Sequence, residues 1–295
     1  MKSMTKKRRP LKPGDVAMDV VIYTLLILLT LITMYPIWYV IVASFSNSRD
    51  IAMAGNILLW PSKIELGAYE MVFKDKSILR GFKNSVIVLV GSLPINIVMT
   101  LLCGYFMSCP KVFGKKVIVA FIMLTMYFGG GLIPTYLNIK DLGLYDTMWA
   151  LILPGALNVY NAIICKTSIE AIPDSLKESA YLDGATDFQV IFKIVIPLIK
   201  ATLAVLTLYY GVWHWNSWFG ASIYLNSDKY LPLQNVLRSI LLANSGAENL
   251  GDVFNDYAET IKYAAIVVST LPIMCIYPFL QKYFAKGALV GAVKG

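Results

Sequence analysis

The chain has 295 residues, 57% of them hydrophobic and 15% charged, with a formal net charge of +8 and a mean hydropathy of +0.63. Soluble domains carry about 25% charged and about 45–50% apolar residues, so this composition excludes an ordinary water-soluble fold and points to a membrane as solvent. A positive balance alone would admit nucleic acid, but the bases sit where a membrane topology puts them, and that partner is excluded.

Residues 1–16 form a basic tail carrying Lys2, Lys6, Lys7, Arg8, Arg9 and Lys12. The apolar run behind it is far longer than the roughly 7–15 residues of a cleaved signal. It reads as an uncleaved first transmembrane helix over 17–45, kinked at Pro36. No Asp, Glu, Lys, Arg or His occurs at 20–48, 84–110, 117–139, 147–165 or 263–281, and 201–227 holds only His214. A spanning helix needs about 20 apolar residues, and backbone groups in lipid must pair within their own segment. The expected fold class is therefore all-α, a polytopic membrane protein with six transmembrane helices. The stretch 46–81 is read as an ordered extracellular loop. Residues 82–283 form a five-helix transmembrane domain, and 284–295 form a tail.

Orientation follows the Lys and Arg of short loops. Lys111, Lys115 and Lys116 follow the second span, and Lys282, Lys286 and Lys294 follow the sixth, all without acids nearby. The loop at 216–261 instead has Lys229 and Arg238 against Asp228, Glu248, Asp252, Asp256 and Glu259. Both termini are expected in the cytoplasm.

That topology leaves a charged stretch, ESAYLDGATDFQVIFKIVIP (178–197), on the cytoplasmic side. Ser175 and Glu178 fit a capping box, as do Thr186 and Gln189. Gly184 is suited to the left-handed residue that ends a helix. The predicted shape is a helix, a glycine bend and a second helix projecting from the membrane. Taken alone, these signals also fit an ordinary, well-terminated loop.

The whole pattern resembles the EAA motif of ABC importer permeases: Glu178, Ser179, Ala180, Asp183, Gly184, Ala185, Phe192, Ile194 and Pro197, preceded by Ile172-Pro173. Ser179 stands where the motif has its first Ala, and Ala201 where many members have a second Pro. FGGGLIPTY (128–136) and WALILPG (149–155) resemble spans three and four of the maltose-type permease family. HWNSWFGASIYL (214–225) and YLPLQNVLRSIL (230–241) are similar to its branch for complex polysaccharides or acidic oligosaccharides. GALVGAVKG (287–295) resembles the family tail that reaches the ATPase dimer. The resemblance implies the type I importer transmembrane domain, with its ATPase-coupling loop at 172–197. It also implies an ATP-driven, binding-protein-dependent carbohydrate importer. Its partners would be a second, non-identical permease, two ABC ATPase subunits touching the loop and the tail, and an extracellular solute-binding protein, all set in membrane lipid.

Energy is expected to come from outside this chain. It has no G-x-x-x-x-G-K-[ST] phosphate loop, and its charge-free runs hold no carboxylate of the kind proton-coupled carriers use. A secondary carrier or channel is the alternative reading, which those carboxylate-free runs disfavour. No catalytic residue, cofactor or metal is expected here; ATP and Mg would be bound by the partner ATPase. Cys103, Cys109, Cys165 and Cys275 read as small buried hydrophobes. His214, Trp213, Trp215, Trp218 and Tyr224 read as an aromatic interface belt, with sugar stacking as the competing role; the substrate-binding residues are left unknown. Asp252 and Asp256 read as solvated carboxylates. Gly104, Gly129, Gly130 and Gly131 suggest close helix packing, favoured over a flexible break.

Overall fold

A computed structural model describes residues 13–55, 57–110, 112–243 and 258–292. The bases at Lys2–Lys12, Lys111 and Lys294, and the acids Glu248, Asp252 and Asp256, lie outside them. The described residues are helical and contain no strand, as the charge-free runs require. Two compact units divide the chain, one taking residues 1–71 and 248–267, the other 72–247 and 268–295.

The first unit is built on α1 (Pro13–Ser44), apolar on every side and containing Pro36. Two of its hydroxyls are satisfied within the helix: Thr30 and Thr33 donate to the carbonyls of Leu26 and Leu29 at 2.7 and 2.9 Å. That is the internal pairing a lipid solvent demands. Beyond it, α2 (Ser48–Ala54) is capped by Asn47, whose side chain accepts from Arg49 N. Val42, Ala43, Ile51 and Leu58 form a small core, against which Tyr39 and Tyr263 pack edge to face.

The unit boundary falls within α3 (Gly67–Lys74), and the second unit continues with α4 (Lys76–Ser108), which starts inside the stretch expected as loop. Asp75 caps α4 by accepting from Ser77 N at 2.7 Å. Around α4 pack α8 (Val159–Glu170), α12 (Lys200–Asn216) and α14 (Leu233–Ala243). Gly104 lets α4 meet α8, because an added Cβ there would stand 3.0 Å from Cys165. Gly81 does the same for α14, where Leu233 backbone would lie 3.1 Å away.

The stretches expected as spans three, four and five are interrupted. α5 (Lys115–Tyr127) and α6 (Leu132–Asp141) meet at 112° across Gly129–Gly131. Gly129 has nothing within 4 Å of a would-be Cβ, and Gly131 adopts φ +87°. These glycines therefore make a bend, and the packing role expected for all four holds only for Gly104. The stretch expected as span four is α7 (Trp149–Ile152) and α8, separated by an unwound segment. α10 (Asp187–Val190), a π-helical turn (Ile191–Val195) and α11 (Ile196–Leu198) meet α12 at 84°. Next come α13 (Phe219–Tyr224) and α15 (Ala258–Ala292), the latter containing Pro272 and Pro278. By length and composition, α1 over Val16–Ser44 and α4 can each cross a membrane, and the two bent pairs would bring the number to four.

Candidate functional site

The charged stretch folds as the hairpin its sequence suggests, with one difference at its start. α9 (Asp174–Leu182) begins after Pro173, whose fixed φ of −54° enters the helix. No side-chain cap forms, so the expected Ser175–Glu178 capping box is absent. The reason is register. With Asp174 already helical, Ser175 lies inside the first turn, where its hydroxyl cannot act as the cap.

The bend follows expectation. Gly184 adopts φ +81°, a region that only glycine enters without strain. Gly184 N donates to Tyr181 O at 3.0 Å and Ala185 N to Ala180 O at 2.9 Å, the bond pair of a Schellman end. Thr186 then caps α10 with both bonds of a capping box, Gln189 Oε1 accepting from Thr186 N at 2.9 Å. Further on, Pro197 lacks the N–H that would bond the carbonyl of Lys193. The helix relaxes into a π turn, in which Ile196 N reaches back to Ile191 O.

One side of the hairpin is anchored and the other is presented. Ala180 and Ala185 pack on a core of Leu101, Tyr105, Cys165, Ile169, Val190, Ile191 and Val195. Ile194 is half-buried. Glu178, Ser179, Asp183, Gly184, Phe192 and Pro197 are exposed. Leu182 is 89% exposed, Phe188 69% and Phe192 63%. Apolar knobs flanked by carboxylates on a projecting, rigid bend make a surface suited to a partner's groove.

A polar relay that the sequence reading missed holds this hairpin to α4. Tyr105 and Tyr181 hydroxyls lie 2.7 Å apart, and Tyr181 donates to Asp187 Oδ1 at 2.6 Å. Tyr105 also reaches that oxygen at 3.1 Å. Burial, and then the Asp187 carboxylate, hold the Tyr181 phenol above its usual range. Tyr181 and Asp187 straddle the glycine bend and were within reach of a local reading. Tyr105 lies 76 residues away, and no local signal points to it.

The aromatic residues near His214 do not form one belt. His214 and Trp215 are 7% and 6% exposed, so both belong to the interior and the belt reading fails for them. Trp215 Nε1 donates to Ser269 O at 3.2 Å, and its ring meets Phe82 edge-on. Trp218 carries the Arg238 guanidinium 3.8 Å above its ring. Trp213 stays half-exposed, and Tyr224 stacks beside Tyr136. Cys165 is fully buried as expected, whereas Cys275 is exposed.

Comparison with known proteins fits this arrangement. Residues 66–290 match the family described as the binding-protein-dependent transport system inner membrane component. The polygalacturonan/rhamnogalacturonan transport system permease protein YtcP of Bacillus subtilis is 40% identical, over 94% of this chain and 98% of its own. Protein LplC of Bacillus subtilis is 39% identical, over 90% of each chain. A chain in the crystal structure of a bacterial ABC transporter involved in the import of the acidic polysaccharide alginate superposes with a TM-score of 0.86. It is 32% identical, with 94% of this chain and all of that one covered.

Proposed function

Because this chain belongs to the family of binding-protein-dependent transport system inner membrane components, we propose that it forms half of the translocation path of an ATP-driven carbohydrate importer and receives mechanical work through the α9–Gly184–α10 hairpin. The relatives named for polygalacturonan, rhamnogalacturonan and alginate transport support the carbohydrate assignment. In the complete assembly the chain crosses the membrane six times with both termini in the cytoplasm, paired with a second, non-identical permease. Two ABC ATPase subunits bind ATP and Mg and grip the hairpin and the C-terminal tail. A solute-binding protein delivers the sugar from outside.

The observation that carries this reading is the exposure of Leu182 and Phe188 at the tip of a hairpin whose other face is locked into the core. Glu178, Ser179, Ala180, Asp183, Gly184, Ala185, Phe192, Ile194 and Pro197 are its coupling residues. Exposed residues make the contact, Ala180 and Ala185 seat the hairpin, and Pro197 sets the π turn behind it.

Gly184→Val provides the test. A Cβ at this position meets nothing within 4 Å, so the substitution perturbs the dihedral and not the packing. The strain is about 1–3 kcal/mol, enough to deform the bend without unfolding a polytopic chain. Sugar uptake should collapse while the variant still reaches the membrane and basal ATPase activity persists. Normal uptake in that variant would overturn the coupling role.

A further inference from the structure

Span four breaks where a continuous helix would be cheaper. Between α7 and α8, Pro154 supplies no N–H, and the carbonyls of Gly155 and Ala156 leave the helical ladder. Irregular backbone at membrane depth is tolerated only where protein covers it or where it lines a water-filled cavity. Here it does both.

Buried side chains of α4 and α12 hold the break open. Asn96 Nδ2 donates to Gly155 O at 2.6 Å and to Ala156 O at 3.1 Å. This turns Asn96 Oδ1 to His214 Nε2 at 2.9 Å, so Nε2 carries the proton and donates. Tyr210 OH accepts from Asn158 N at 2.9 Å, and its own proton is left for Thr100 Oγ1 at 2.7 Å. Gly155 makes room for an aromatic plate, since a Cβ there would lie 2.7 Å from the Trp213 ring.

Beside this break opens a cavity of about 650 Å³, within the size range of small-molecule sites, roughly 300–1,000 Å³. Trp213, Tyr224, Tyr209 and Phe219 contribute aromatic surface, and Asn158 and Asn161 add amides. Among the described residues, no Asp, Glu, Lys or Arg lines it. The cavity lies at the Asn216 end of α12, roughly 25 Å along a helix of this length from the end that meets the coupling hairpin.

We propose that this cavity is a sugar subsite carried by this subunit itself, taking an uncharged ring of the transported glycan between Trp213, Tyr224 and the Asn158–Asn161 amides. The proposal rests on the carbohydrate reading above and adds to it a place and a charge preference. Aromatic faces cover the C–H face of a sugar ring while its hydroxyls meet polar groups at the edge. A ring bearing a carboxylate would bring a buried charge without a cation among the lining residues, which is unfavourable by several kcal/mol. The subsite therefore selects the neutral rings of a mixed polysaccharide.

Import is measured in cells of the source organism whose own copy carries Trp213→Leu, Tyr224→Leu or Trp213→Phe. Three radiolabelled tetrasaccharides serve as probes: a neutral galactan fragment, a rhamnogalacturonan fragment with alternating neutral and acidic rings, and tetragalacturonate, acidic throughout. Each Leu variant should lower import of a probe containing neutral rings about tenfold, the scale of one lost aromatic contact. Membrane level and basal ATPase activity should hold, and Trp213→Phe should restore most of the import. Wild-type rates in the Leu variants would overturn the subsite and leave the carbohydrate reading standing. Loss of the companion permease on purification would reassign the wall to a subunit interface. A wild type that imports only tetragalacturonate, lost equally in the Leu variants, would overturn the charge preference. A wild type that imports none of the three probes would remove both the carbohydrate reading and the subsite.

Discussion

At the scale of single residues, the Tyr105–Tyr181–Asp187 relay separates contact from transmission. Tyr181 and Asp187 belong to the hairpin and Tyr105 to α4, so the relay ties the bend to α4, and the proposed coupling role would route a movement of the bend through it. Tyr181→Phe and Asp187→Asn should each leave basal ATPase activity in place and lower sugar uptake per ATP by several fold. Equal loss of both activities, or of neither, would assign the relay to stability alone. The folded pKa of Tyr181 lies above the ordinary phenol value, about 10. Its stabilisation is therefore complete below about pH 10 and is lost only as pH rises through the raised value. The ratio of wild-type to Tyr181→Phe coupling should accordingly stay constant between about pH 6 and pH 9, a comparison made in reconstituted vesicles. A ratio that drifts with pH in that window would mean another group titrates in the relay. The sequence made Gly184 and Thr186 legible because glycine and capping chemistry act within four residues. It hid Tyr105, and it made His214 look like a surface residue. The partner that draws His214 inward, Asn96, is 118 residues away.

At the scale of helices, what decides the architecture is where a glycine meets another backbone. Gly104 and Gly129 look alike in sequence, yet one is a contact and the other a bend. Neighbours three turns away in space set that difference, and periodicity does not report them. Gly104→Val should force α4 from α8, because Cys165 Cβ, Sγ and the backbone of Lys166 already stand within 3.1 Å of the would-be Cβ. Overpacking of this kind is unfavourable by about 1–3 kcal/mol. Gly129→Ala, with open space around it, should be tolerated. Thermal denaturation of the purified complex in detergent measures both, and a Gly104 variant as stable as the parent would contradict close packing there. The charge-free runs marked apolar helical stretches but could not show their interruptions. Hydropathy is the same for a straight helix and a broken one, and Pro154-Gly155 is a weak marker inside an apolar run.

At the scale of the whole molecule, chemistry in the second unit is segregated along α12. The hairpin with its exposed Leu182 and Phe188 lies at the Lys200 end of α12, and the aromatic cavity lies at the Asn216 end. An importer needs this polarity: work enters at one membrane face, and sugar at the other. The orientation rests on loop bases and acids, several of which lie outside the described residues, so it is best tested directly. In a background with Cys103, Cys109, Cys165 and Cys275 replaced, single cysteines placed by Ser179→Cys and by Lys63→Cys test whether the two positions face opposite sides of the membrane, as the proposed topology requires. Both positions are exposed, Ser179 on the hairpin and Lys63 between α2 and α3. A membrane-impermeant maleimide applied to intact cells should label the Lys63 site and spare the Ser179 site; inverted vesicles should show the reverse. Labelling of Ser179→Cys from outside would place the hairpin away from ATP, and no cytoplasmic ATPase could then drive it.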